Sequence, residues 1–320
     1  MMRIAHFSDL HYGTRTLPEA DRCFAAAIDR ARELAVDAAV ISGDATDHVL
    51  ELHSPAARAL AARVRCLADH CPVLMLQGTH SHEPPGTLAV FKLLGGRHPV
   101  HVSERIEQVA LTADGLWVPS LGWRFAEMPA GSRAVFSCLP AVNKAQVAAT
   151  VAAEDAAHAV GEHVAAVLSG FAPGNHAAHA RGIATIGVSH GTVFGCVSEH
   201  GVPMAGFDHE LTTGALFAAG ARAFMLGHIH KHQTWSRDGE AGPQRIAYAG
   251  SIGRFHHGEL GDKGFVLWSV AADGVDCSLQ PTPARRTVDI MFDGRPDLDA
   301  LREAAADAAV AGASVRVRWT

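Results

Sequence analysis

Short runs of aliphatic and β-branched residues alternate with longer Ala-, Leu- and Arg-rich stretches through the first third of the chain, and the apolar period switches between two and about 3.6 at each change. That pattern predicts strand 3–8, helix 18–35, strand 37–42, helix 55–70, strand 72–77 and helix 86–94. Alternation of this kind builds a parallel sheet covered by helices, so the fold class is α/β. Between 98 and 121 the pieces shorten into strands 100–102, 108–112 and 116–119, and an Ala-rich helix is predicted over 143–168. Gly170 to Gly174 is expected to end that helix. Strands 182–188 and 222–226 follow, then a β-meander of 233–236, 245–249, 264–270 and 275–280. After Pro281-Thr282-Pro283 the pattern resets to strand 288–292, helix 298–310 and strand 314–319. Residues 1–282 therefore read as the main domain, and 283–320 as a small α+β unit with too few residues for a core of its own.

Composition narrows the class of protein. Nearly half of the 320 residues are hydrophobic, enough for a large packed core. A net charge of −6 argues against a general basic surface for nucleic acid, so any DNA contact is local, metal-assisted or shared with a partner. The six cysteines form no C-x-x-C pair and no metal-finger spacing, which fits reduced, buried thiols. The first strand leaves no room for a secretory leader, and no apolar run reaches membrane-span length, so a soluble cytoplasmic chain with no membrane contact is expected. Trp117, Trp123 and Trp268 are expected to pack in the strand core rather than stack on bases.

Twenty-one histidines are the one compositional excess, and their positions carry the chemistry. Five segments, each just past a predicted strand, present Asp9/His11, Asp44, His80/His82, His190 and His228/His230. Open α/β sheets place ligands at that edge. Mixed carboxylate and imidazole donors without cysteine suit manganese, iron or zinc in an open site and disfavour a closed structural zinc. Such a set can hold two divalent ions, with Asp44, alone after its Gly, as the natural bridge. Phosphoester hydrolysis is the reaction served best by that arrangement. A lone Asp-x-His or His-x-His in a loop is usually a bystander; the order of the five segments gives the signal its force.

The ordered set D-x-H, G-D, G-x-H, H, G-H-x-H resembles the calcineurin-like metallophosphoesterase family. The resemblance implies two β-sheets stacked as a sandwich and flanked by helices. It makes Asp9, His11, Asp44 and His230 ligands of one metal, and Asp44, His190 and His228 ligands of the other. Asp47 matches the acid that orients the family's catalytic histidine. The third motif departs from the family's Gly-Asn-His-Asp/Glu, reading Gly78-Thr79-His80-Ser81-His82-Glu83. Without a gap, Thr79 replaces Asn and His80 is the general acid. With a turn longer by two residues, His82 is the acid and His80 is free to replace the lost Asn as a ligand; the second register keeps both His and Glu and is favoured.

Protein Ser/Thr phosphatases of the superfamily carry Arg-Gly after the second-motif acid, whereas Asp47 is followed by His48-Val49. The segment from Tyr248 through Gly250-Ser251, Gly258-Glu259 and Lys263-Gly264 to Leu267 is instead similar to SbcD-type nucleases, and the tail from Thr287 is similar to the opening of their DNA-capping domain. That resemblance implies a manganese-dependent DNA exo/endonuclease of repair or recombination, working as a homodimer with an SMC-like ATPase of the SbcC type. The segment expected to bind that ATPase would lie beyond residue 320. Arg254 and His256 are candidates for contacting substrate phosphates. Two other readings stand beside the nuclease: a small-substrate phosphodiesterase or nucleotidase on the same centre, and a catalytically weakened DNA-binding scaffold.

Overall fold

The structure is a computed structural model that describes every residue except 52, 143–155, 205–210, 240–241 and 311. Two large mixed sheets lie face to face. The first contains β1 (Met2–Phe7), β2 (Ala38–Ile41), β3 (Val73–Leu76) and β4 (Val100–Ser103), with β12 (Gly264–Val270) and β13 (Val275–Pro281), in the order β13-β12-β1-β2-β3-β4. β1 to β4 run parallel, and β12 joins β1 antiparallel. The second takes β5 (Glu107–Thr112), β6 (Trp117–Pro119), β7 (Ser132–Leu139), β8 (Ala184–His190), β9 (Ala223–Gly227), β10 (Gln233–Gly239) and β11 (Gly242–Tyr248) in the order β10-β11-β9-β8-β7-β5-β6.

Three apolar layers hold this together. The central one interleaves Ile4, Val40, Leu74 and Trp268 of the first sheet with Phe136, Ile186, Val188 and Met225 of the second. Outside the first sheet, α1 (Leu17–Glu33) and α2 (Pro55–Ala68) bury Phe24, Ile28, Leu60 and Val64 against it. Outside the second, α3 (Ala156–Ala180) and α4 (Thr213–Ala218) bury Val164, Leu168 and Leu216. β1 to β3 are hydrophobic on both faces because each is covered on both. The expected α/β class, with a two-sheet sandwich flanked by helices, is the architecture found.

The predicted break at Gly170 to Gly174 does not occur: α3 runs on through Pro173 to Ala180. Burial outweighs the lost backbone donor, since Phe171 and Ala178 are buried and Asn175 donates to the Ala219 carbonyl at 2.7 Å. The glycines serve close packing instead. A Cβ on Gly170 would lie 2.4 Å from the Trp123 ring. The part of the predicted 143–168 helix that covers 143–155 falls outside the described residues.

The sequence pattern missed β7, an interior strand of the second sheet between β8 and β5, and also α4. Residues 86–94 form a 3-10 helix (Thr87–Leu93), entered from Gly86 at φ 89°. In the tail, β14 (Thr287–Phe292) and β15 (Ser314–Trp319) pair in parallel across α5 (Leu298–Val310) as a separate two-stranded sheet. Its link to the remainder is polar: Arg254 donates to the Arg285 carbonyl, and His257 meets Asp289 at 2.6 Å. Among the described residues no helix is long and apolar enough to cross a membrane.

Candidate metal centre

The parallel strands of both sheets end at one edge, and the predicted ligands gather there. Asp9 and His11 follow β1, Asp44 follows β2, His190 closes β8, and His228 and His230 follow β9. Among the described residues only five that are not glycine have positive φ, and four of them are Asp9 (49°), His11 (46°), Asp44 (51°) and His228 (101°). Each such residue costs on the order of 1–3 kcal/mol, a strain that persists where the surroundings impose it and that clusters at functional sites. Gly78 allows the third loop to close on the second, since a Cβ there would lie 2.3 Å from the Asp44 backbone nitrogen and carboxylate.

Two donor groups result. In the first, Asp9, His11 and His230 converge: the Nε2 atoms of His11 and His230 face each other at 2.9 Å, and each lies 3.9 Å from Asp9 Oδ1. In the second, Asp44, His190 and His228 have ligand atoms within 4.8 Å of one another. Asp44 ties the two together, because it also groups with His11 and His82. The His190 ring donates from Nδ1 to the Ser42 carbonyl at 2.8 Å, which turns Nε2 toward Asp44 Oδ2 at 3.3 Å. Both Asp9 and Asp44 are buried, and Asp9 is held by the His228 backbone N–H.

The electrostatics favour positive charge at this spot. Burial pulls the His190 imidazole down, but the Asp44 carboxylate more than offsets it and pushes the ring up to about 10. For Asp44, burial acts upward and is overcome by His190 and His82, which hold it well below the carboxylate range. A field that retains a proton on a buried imidazole is one that a divalent cation would satisfy. With three oxygen or nitrogen donors on each side and a carboxylate shared between them, the residues fit a binuclear metal site.

The third loop resolves into separate roles. Thr79 sits against the second group, its backbone N–H donating to Asp44 Oδ1 at 2.6 Å and its hydroxyl lying 3.1 Å from Asp44 Oδ2 and 3.2 Å from His190 Nε2. His82 Nδ1 meets Asp44 Oδ2 at 2.8 Å, a bond that raises the affinity of the ring for its proton. Glu83, fully buried, accepts from Ala45 N and Gly78 N, each at 2.6 Å, and so clamps the second and third loops together. His80 lies apart. Its Nε2 donates to the Ala141 carbonyl at 3.2 Å, and Thr79 rather than His80 is the residue of this loop that touches both Asp44 and His190. Asp47 has its carboxylate 3.7 Å from His11 Nδ1 and 3.9 Å from His48, so the acid in contact with His82 is Asp44.

Of the two candidate phosphate contacts, His256 is exposed and stacks on His230 with ring centroids 6.2 Å apart. Arg254 is turned to other work, donating to the carbonyls of Arg285 at 2.7 Å and Gly261 at 2.6 Å. Sequence reasoning gave no role to Glu259 and Lys263, which form a buried pair at 2.5 Å behind His230. Lys263 donates to the His230 carbonyl at 2.8 Å, and Glu259 lies 3.9 Å from His230 Nδ1. The signal for them was the Gly-Glu and Lys-Gly spacing, four residues apart, beside a metal motif.

No family model matches the chain, and no curated protein matches it. Among solved structures, it is similar to a dimetal phosphatase from Danio rerio, with a TM-score of 0.48 and 10% identity over 87% of this chain and 98% of that one. It is also similar to a 5'-nucleotidase precursor from Thermus thermophilus, with a TM-score of 0.46 and 16% identity over 97% of this chain. The chain spans 58% of the length of that nucleotidase precursor.

Proposed function

We propose that the chain is a metal-dependent phosphodiester hydrolase acting on DNA, a nuclease of repair or recombination. One observation carries the hydrolase reading: Asp44 groups with His190 and His228 and also with His11, which in turn groups with Asp9 and His230, at the edge where the parallel strands end. Two divalent ions held by Asp9, His11 and His230 on one side and Asp44, His190 and His228 on the other would supply Lewis acidity toward the phosphoryl oxygens and lower the pKa of water. The chain's own groups do the remaining work. Asp44 fixes both His82 and Thr79. His82, whose side chain keeps 25% of its exposure against 1% for His190, is the group placed to protonate a leaving oxygen as water attacks phosphorus in line. Asp47 supports the His11 side of the centre, and His256 on the lip is positioned for a flanking phosphate.

The DNA assignment rests on the likeness of residues 248–267 and of the tail to SbcD-type nucleases, and manganese belongs to that reading, as do a homodimer and an SMC-like ATPase partner. A small-substrate phosphodiesterase is the second reading. A cavity of about 310 Å³ lined by His80, the residue after Thr79, is too small for a duplex and favours it. The two separate by experiment. Manganese-dependent digestion of an end-labelled duplex, run beside bis(p-nitrophenyl) phosphate, is expected to consume both. Cleavage of the small diester alone would transfer the function to the second reading, and cleavage of neither would overturn the hydrolase.

The loop geometry makes a sharper demand on the third motif. His82→Ala is expected to lower kcat on a diester with a poor alkoxide leaving group by roughly 10²–10⁴-fold, the usual worth of a general acid. His80→Ala is expected to change that kcat by less than about fivefold. Comparing kcat for the two variants checks the assignment; the reverse order would make His80 the acid.

A further inference from the structure

We propose that the cavity behind the third loop is a subsite for a planar aromatic group, a nucleobase or another aryl ring, carried on one ester oxygen of the substrate phosphate. The inference rests on the hydrolase reading above and adds to it a substrate feature. The cavity holds about 310 Å³ and is walled by Ile106, Leu139, Pro140, Val142, Val164 and Val167. Leu139 and Val164 are buried, and Ile106, Val142 and Val167 pack against the same apolar cluster. A cavity at the lower end of the range for small-ligand sites, about 300–1,000 Å³, takes one ring system and not a base pair.

Its position ties it to the reacting centre. Leu139 pairs with Ser189, the neighbour of His190, so the cavity opens one strand away from that ligand. His80 lines it, and the preceding residue, Thr79, touches both Asp44 and His190. A group esterified to a phosphate held at Asp44 would reach the cavity past Thr79 and His80, which are neighbours in the chain. His80, turned to the Ala141 carbonyl, thereby acquires a purpose as a wall of the cavity.

Apart from His163, the polar side chains around the cavity are already engaged. Gln77 donates to the Glu83 carbonyl at 2.8 Å, and Arg105 pairs with Glu107 at 3.1 Å. Glu104 accepts from Gly86 N and Lys92, and His80 Nε2 donates to Ala141 O. Recognition is therefore chiefly by shape and apolar burial, with the His163 imidazole, among the described residues, as the one lining side chain left to meet a polar edge of the ring. The subsite should distinguish a ring from a methyl group strongly and one base from another weakly.

The test uses two diesters with the same leaving group, bis(p-nitrophenyl) phosphate and methyl p-nitrophenyl phosphate. In each, water bonds to phosphorus, the P–O bond to p-nitrophenolate breaks, and the proton of water passes to solvent. We expect kcat/KM to favour the aryl ester at least tenfold, and phenylphosphonate to inhibit at least tenfold more tightly than methylphosphonate. Val167→Trp, which fills the cavity, should bring both ratios toward one, with circular dichroism confirming the fold. Ratios near one in the unsubstituted protein, or ratios that Val167→Trp leaves in place, would overturn the subsite alone. Turnover of neither ester with manganese, iron or zinc would overturn the hydrolase reading and the subsite with it.

Discussion

Asp44→Asn is expected to reduce the metal content from two ions per chain to one or fewer and to lower diester turnover by about 10³-fold, with the fold retained. The expectation follows from how much converges on one carboxylate. Asp44 accepts from the Thr79 backbone and lies within 3.3 Å of Thr79 Oγ1, His82 Nδ1 and His190 Nε2. It belongs to donor groups on both sides of the centre. An amide keeps the shape and one acceptor oxygen but removes the charge, so the His190 side loses the field that draws a cation. Losing a metal-derived stabilisation of several kcal/mol costs about 10³ in rate, since each 1.4 kcal/mol is tenfold. Metal analysis after dialysis, with turnover and circular dichroism on the same sample, checks all three parts. Two tightly held ions in the variant would show that Asp44 is not the shared ligand.

Much of the site was legible because its residues obey a simple rule of position. A parallel strand delivers whatever follows it to the same edge, so reading polar residues off strand ends located Asp9, His11, Asp44, His190, His228 and His230 without knowledge of the packing. What the sequence could not show was distance between loops. Thr79 stood as a replacement for Asn only in the register not favoured, and contact with Asp44 and His190 is what gives it a place at the centre. The turn of His80 toward Ala141 is likewise a contact that no periodicity records. The fold had the same boundary. Strong alternation identified β1 to β3, whereas β7 was missed because it lies in a run of mixed small and polar residues whose burial comes from neighbours far along the chain. In α3, Gly170 and Pro173 read as breakers by local propensity, and tertiary packing on Trp123 and Gln108 overrode it.

The buried pair behind His230 should separate folding from metal binding. Burial alone would raise the Glu259 carboxyl, but His230 and Lys263 hold it down at about 2, so it stays ionised where no water reaches it. Its Oε1 also accepts from the backbone of Phe255 at 3.2 Å and His256 at 2.7 Å. Glu259→Gln strands a buried ammonium and Lys263→Met strands a buried carboxylate, and each is expected to cost about 3–5 kcal/mol of stability. The double variant has no buried charge left and should recover most of that loss, as replaced buried ion pairs commonly do. Metal affinity should not recover with it. An ionised Glu259 on the Nδ1 side of His230 favours the tautomer whose Nε2 lone pair faces Asp9 and His11, and removing such an outer carboxylate typically costs about 10–100-fold in affinity. Thermal unfolding and calorimetric titration of manganese on the four proteins therefore should part company: Tm restored in the double variant, affinity for the Asp9, His11 and His230 side still at least tenfold weaker. If affinity returns along with Tm, Glu259 and Lys263 hold only the loop, and the orientation of His230 is set by the Lys263 bond to its backbone carbonyl and by the packing of Phe255 against its ring.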